Sequence, residues 1–173
     1  MILALETATT ACSAALCAAD GSVVAERFAS AGPAHSRRLL PFVHEVLEES
    51  GAGWDEVETV AVGLGPGAYT GLRIGVATAR ALAQADGRVR LAGVPTLTAL
   101  ALARSEAPEA AVGGLLVPLV DGRRREVFAA LYERVDRGLR QTSGVSVVGR
   151  DDLAGWLAGC GDAVVGGDGA ALY

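Results

Sequence analysis

The chain is 173 residues long and 51% hydrophobic, enough for one sizeable domain or two small lobes with a well-filled core. Its 15 basic residues, all arginine, stand against 20 acidic ones, a net charge of −5; the absence of lysine excludes a Walker lysine and a Schiff-base lysine, and the acidic balance argues against an independent nucleic-acid binder. No apolar run approaches the roughly 18–20 residues of a membrane span, and MILALETATT carries Glu6 early with no basic stretch before it, so a cytoplasmic protein without membrane contact is expected.

In chain order, Ile2 to Glu6 reads as a short strand and Ser13 to Ala18 as a second. Asp20-Gly21 is a hairpin signal, and Val23 to Phe28 completes a three-strand meander. Gly32-Pro33 breaks the chain. Leu39, Leu40, Val43, Val46 and Leu47 then form the stripe of an amphipathic helix that Ser36 is placed to cap, with Pro41 in or near the first turn. Val57 to Val62 reads as a strand covered on both faces. A glycine-rich loop follows, then a helix over about 71–84, a strand at Leu91 to Val94, and a helix from Thr96 to about Ala107 behind Pro95. This order predicts a mixed sheet flanked by helices.

The remainder begins the same plan again. Leu115 to Val120, a turn near Asp121-Gly122 and Val127 to Arg134 form a hairpin, and Val145 to Val148 gives a third strand. Asp151 to Ala158 is a short helix with an aspartate cap, Ala163 to Val165 a strand, and Gly166-Gly167-Asp168-Gly169 a loop echoing Gly63 to Gly67. Two lobes are expected, 1–108 and 109–173, with a linker around 109–114 and a second copy that lacks its final helices.

The functional question lies in residues 62–84, VGLGPGAYTGLRIGVATARALAQ. Glycines at 63, 65, 67 and 71 permit positive φ and close approach of backbone N–H groups to a ligand, and the N-terminus of the next helix favours an anion. The loop lacks both the Walker lysine and the Rossmann spacing, so a tight strand-to-helix connection stands beside phosphate binding as an equal alternative. Gly71, Gly75, Ala79 and Ala83 recur every four residues and leave one helix face nearly without side chains. That face either lies on the chain's own sheet or meets a helix of another subunit. Arg73, one turn in, sits where the helix dipole disfavours a cation and is solvated unless a carboxylate or an anion meets it.

Glu6, with Thr7, Thr9 and Thr10 after it, could orient a hydroxyl or a metal-bound water, but the residues alone favour a strand-end carboxylate beside a self-satisfied turn. Asp168 is the one acidic residue placed to pair with it. His35-Ser36 is weak as base and nucleophile, because no G-x-S-x-G elbow accompanies it. His35 and His44 fall on opposite helix faces, and Cys12, Cys17 and Cys160 form no CxxC pair and suit buried thiols. Arg123-Arg124-Arg125-Glu126, just after a hairpin turn, is a solvated rim or a site for an anionic partner.

Four segments, ILALETATTACSAAL, HSRRLLPFVHEVLEESG, VAVGLGPGAYTGLRIGVATARALA and VDGRRREVFAALY, resemble in order and spacing the TsaB family. These are bacterial subunits of the tRNA threonylcarbamoyladenosine machinery, in the TsaD/Gcp-like branch of the actin-like ATPase superfamily. The resemblance covers most of residues 1–134 and is most specific at GPGAYTGLRIG. It implies an α/β fold of two RNase H-like lobes with mixed sheets flanked by helices, the second truncated. It also implies that the chain is not itself the transferase. In the family, TsaD carries the nucleotide and metal sites, TsaB pairs with it through the two N-lobe helices, and an ATPase, TsaE, joins them.

On that basis a partner interface is expected at Leu39, Leu40, Val43, Gly71, Leu72, Ile74, Gly75, Val76 and Ala79. Glu6, Thr7, Thr9, Gly65, Gly67, Thr70 and Gly71 are expected to be the vestige of a nucleotide-binding turn. Relatives commonly carry Asp where this chain has Glu6, which weakens an inherited metal or phosphate role. The paired-histidine metal motif of TsaD-like proteins is replaced by His35 with arginine nearby. No catalytic residue, metal or cofactor is expected, tRNA is reached only through the complex, and a homodimer through the same helices is expected when TsaD is absent. The alternatives are an ATP-dependent enzyme using Glu6 and the loop Gly65 to Gly71 and, ranked last, a peptidase.

Overall fold

In a computed structural model of the chain, which describes residues 1–30 and 35–173, packing gathers into two units, Met1–Val94 and Pro95–Tyr173. The break expected at Gly32-Pro33 lies outside the described residues. In the first unit, β1 (Ile2–Glu6) and β2 (Ala11–Cys17) alternate buried and half-buried residues with the period of two that a pleated strand imposes. Their antiparallel register sets Leu3 opposite Leu16 and Leu5 opposite Ala14. β3 (Val23–Ser30) completes the meander through a turn in which the Ser22 N–H and hydroxyl both donate to Asp20 Oδ1, at 2.9 and 2.7 Å. These bonds from Ser22 hold the Asp20 carboxyl below its usual range, and Gly21, at φ 89°, supplies the left-handed residue of the turn.

Helix α1 (His35–Ser50) then carries the chain across to β4 (Thr59–Gly63), and α2 (Tyr69–Ala85) carries it to β5 (Arg90–Val94). Both β4 and β5 run parallel to β1, the arrangement for which helical crossovers are required. The order β3-β2-β1-β4-β5 is the RNase H-like arrangement that the resemblance implies. Leu39, Phe42, Val43 and Val46 of α1 fill the core with Leu3, Leu16, Val60 and Val62, each fully buried large side chain contributing roughly 1.5–3 kcal/mol of gross stabilisation. Arg27 of β3 bridges to Glu45 and Glu49 on α1. Two local expectations are corrected: α1 already includes Ser36, so that residue lies within the first turn, and Pro41 sits in the helix interior. Core contacts on either side of Pro41 hold the helix despite the lost backbone donor.

The second unit is organised on β6 (Leu115–Arg123), buried on both faces. Leu116 and Val120 pack with Leu97, Ala101 and Tyr132, whereas Val117 and Leu119 pack with Val127, Val148 and Leu153. Helix α3 (Thr96–Ser105) therefore belongs to this unit by its packing, and the division falls after Val94, where the sequence reading drew it after 108. The segment read as one strand over Val127 to Arg134 is two, β7 (Glu126–Ala129) and β8 (Tyr132–Val135), both antiparallel to β6. At the interruption, the Leu131 N–H donates to Ser143 Oγ and the Leu131 carbonyl accepts from the Thr142 N–H, so a neighbouring loop takes over the ladder bonds.

An unanticipated strand, β9 (Gly138–Gln141), pairs with β8 through a turn whose Gly138 has φ 109°, and β10 (Ser146–Gly149) pairs with β7. Helix α4 (Arg150–Ala158), β11 (Ala163–Gly166) parallel to β6, and the short α5 (Asp168–Leu172) follow. The second unit thus repeats the antiparallel–central–parallel plan of the first. No helix among the described residues is long and apolar enough to cross a membrane.

Candidate functional site

Glu6 ends β1 and turns its carboxylate back on its own chain. Its Oε1 accepts the N–H groups of Thr7 and Ala8, at 2.7 and 2.6 Å. Thr7 is fully buried, and its hydroxyl donates to the Gly71 carbonyl at 2.8 Å, tying the β1–β2 turn to the first turn of α2. The Ala68 N–H donates to the Ala8 carbonyl at 2.6 Å, a second tie between the same two segments.

The glycines make this approach possible. A Cβ built on Gly63 would collide with the Glu6 carboxylate, one on Gly67 with the Ala8 carbonyl, one on Gly71 with the Thr7 carbonyl, and one on Gly75 with the Thr7 hydroxyl. Gly65, at φ 90°, additionally needs the left-handed region, and the peptide bond it forms with Pro66 is cis. The loop is therefore a scaffold for backbone packing. Among the residues expected as a vestigial nucleotide turn, Glu6, Thr7, Gly67 and Gly71 converge on this junction. Thr9 Oγ1 instead accepts the Ala11 N–H within the hairpin turn, and Thr70 is exposed.

The same contacts correct the expectation for the small-residue face of α2. Gly71, Gly75 and Ala79 are buried in the chain's own unit, against Thr7 and Val62, and offer nothing to another subunit. Leu39 and Val43 are likewise core residues. Leu39→Ala is thus expected to destabilise the first unit by roughly 2–5 kcal/mol in urea denaturation, the cost of a core truncation, with no separate effect on association. Ile74 and Val76 are half-buried against the same core, and Leu72 is half-buried over Gly65.

The face of α2 turned the other way is apolar as well. Leu40 of α1, which is 54% exposed, lines with Ala77, Thr78, Ala81 and Leu82 an open groove of about 450 Å³. Arg73 is exposed on α2, with its guanidinium carbon 5.5 Å from the centroid of the Tyr69 ring, one helical turn back.

Glu6 and Asp168 lie in different units, and each is engaged within its own. Asp168 Oδ1 accepts the Asp121 N–H at 3.0 Å, and Asp121 Oδ1 accepts the Arg123 N–H two residues on, the same i+2 relation that Glu6 has with Ala8. His35 Nε2 lies 3.1 Å from the carbonyls of both Thr9 and Ala11, which makes it an anchor for the start of α1. Among the described residues no three His, Cys, Asp or Glu side chains gather as a metal-binding group. Burial, partly opposed by Arg38, pushes the Cys12 thiol above its ordinary value, so it stays protonated; stability drawn from it is complete at neutral pH and declines as pH climbs past about 9.

Residues 18–159 match the family model described as TsaD: tRNA N6-adenosine threonylcarbamoyltransferase. The chain belongs to that family. Within the threonylcarbamoyltransferase family it is similar to TsaB proteins. It is 37% identical over 138 residues to the tRNA threonylcarbamoyladenosine biosynthesis protein TsaB of Escherichia coli, covering 80% of this chain and 57% of that protein. The TsaB of Bacillus subtilis is 34% identical over 132 residues, covering 76% and 55%. The solved structure of YeaZ from Pseudomonas aeruginosa superposes with a TM-score of 0.73 at 32% identity, covering 85% of this chain and 66% of that one. The chain thus spans a little over half the length of these two curated relatives.

For this member of the threonylcarbamoyltransferase family, sequence reasoning missed most of the α1–α2 groove. Ala77, Thr78, Ala81 and Leu82 line it. Their spacing of i, i+1, i+4 and i+5 is a second stripe on α2, obscured because alanine and threonine carry little hydrophobic signal.

Proposed function

We propose that this chain is a non-catalytic subunit of the tRNA threonylcarbamoyladenosine-forming assembly, and that it docks on a TsaD-like catalytic subunit through the groove between α1 and α2. The observation that carries this reading is the apolar groove itself, with Leu40 standing exposed at its edge beside small residues that let another helix come close. Membership of the threonylcarbamoyltransferase family supports the choice of partner. In this reading the assembly works in the cytoplasm, a TsaE-like ATPase joins it, and the chain forms a homodimer through the same groove when TsaD is absent. The test is co-purification of the tagged chain with a TsaD-like protein from the same organism; separate elution at micromolar concentration of both would reject the docking.

An ATP-binding role fits the site less well, because the Thr7 and Ala8 N–H groups are already taken by Glu6 and the Gly67 and Gly71 backbone lies against the neighbouring turn. Calorimetric titration with Mg-ATP up to millimolar concentration is expected to show no saturable heat. Saturable binding would restore the enzyme reading.

A further inference from the structure

The β6–β7 turn carries a feature that the docking role does not use. Arg123, Arg124 and Arg125 all lie in the left-handed region, at φ 65°, 50° and 65°. All three are exposed, with no glycine or asparagine to ease the conformation. Two are braced: Arg123 Nε is 3.6 Å from Oδ2 of the buried Asp121, and Arg125 Nη2 is 3.1 Å from Asp151 Oδ1. Arg124 lies between them and has no ion-pair or hydrogen-bond partner among the described residues. The Arg150 N–H donates to the Arg125 carbonyl at 2.8 Å, which brings a fourth exposed arginine to the same end of the second unit.

We propose that this turn is a phosphodiester-binding site, with RNA as its ligand and Arg124 as its central contact. A two-residue hairpin loop requires positive φ at both central residues and is ordinarily built from glycine, asparagine or aspartate, so placing arginine there keeps exposed guanidiniums at the expense of a disfavoured backbone, the kind of local strain found in functional segments. A nucleic-acid strand offers one anion per nucleotide and suits the planar guanidinium fork. An acidic peptide is the competing ligand, and the test separates the two. The proposal rests on the chain's place in a tRNA-modifying assembly, and replaces the expectation that it meets tRNA only through its partners.

The test uses the full 173-residue chain and a fluorescently labelled transfer RNA transcript, with anisotropy recorded over a range of salt concentrations. Arg124→Glu is expected to weaken binding at least tenfold and to lower the slope of log K against log salt by about one, the signature of a lost phosphate contact. Arg124→Gly, which relieves the left-handed residue, is expected to raise the melting temperature while also losing affinity, a combination that a purely structural role does not give. Equal RNA binding by wild type and both variants, or no RNA binding by the wild type at low salt, overturns the proposal. Tighter binding to polyglutamate than to RNA overturns it too, in favour of an acidic protein partner. Co-purification with a TsaD-like protein is scored separately, so loss of this proposal and loss of the docking reading are distinguishable.

Discussion

Gly75→Leu is expected to unfold the Met1–Val94 unit. The Cβ of any residue at 75 falls on the Thr7 hydroxyl, which is buried and donates to the Gly71 carbonyl at 2.8 Å. Relief requires α2 to move off β1 or Thr7 to abandon its bond. The first is an overpacking cost of about 1–3 kcal/mol; the second leaves a buried polar group unsatisfied at about 1–3 kcal/mol. With the rest of the leucine side chain added, the loss reaches about 4 kcal/mol, most of the stability of a domain at the low end of the usual range. The chain has two tryptophans, Trp54 packed against the first unit's core and Trp156 against the second's, so Trp156→Phe isolates the first unit's urea transition. The milder Gly75→Ala and Thr7→Ala give a double-mutant cycle: the pair should be less destabilised than the sum of the singles, because removing the hydroxyl vacates the space that the new methyl needs. A Gly75→Leu protein that melts like wild type would show that the helix does not rest on this turn.

Leu40→Asp combined with Ala81→Glu is expected to leave the monomer folded and weaken association at least a hundredfold, about 2.7 kcal/mol. Both side chains are exposed at the groove, so their replacement removes no core packing. A charge set into an apolar groove must be desolvated when a partner closes over it, and that cost falls on the complex alone. Size-exclusion chromatography with light scattering reads homodimer loss, and co-purification reads loss of the TsaD-like partner. Retention of both associations by the double variant would move the interface elsewhere. The contrast with Gly75→Leu is the informative pair: one substitution acts on folding, the other on association, although both lie on or against the same helix.

Strands of the first sheet were legible because β1 and β2 are short apolar runs and Asp20-Gly21 marks the turn from β2 to β3. The interruption between β7 and β8 was not, since Ala130 and Leu131 continue the apolar run and the partners that end the ladder, Thr142 and Ser143, lie far along the chain. Strand β9 was missed for a related reason: it has one half-buried apolar residue, Leu139, so only the glycine of its turn marks it. The face of α2 shows a deeper ambiguity. A row of small residues states that something comes close without stating what, and here it is the β1–β2 turn of the same chain. Glu6 is a different case: hydroxyls were expected to satisfy the turn's backbone groups, and Thr9 Oγ1 does so for Ala11, but the Thr7 and Ala8 N–H groups are taken by the Glu6 carboxylate itself.

The glycine contacts also bear on how such a chain can change over time. Gly67 and Gly71 in the first unit lie against the carbonyls of Ala8 and Thr7, and Gly167 in the second lies against the carbonyl of Leu119. Each is held in place by main chain, which no substitution elsewhere can trim. A chain with no ligand at this junction is still forbidden to give up the glycines, so the motif does not by itself announce an activity. Admitting a ligand there is equally constrained: it demands displacement of a helix from a hairpin, a change of architecture that point mutation alone does not reach.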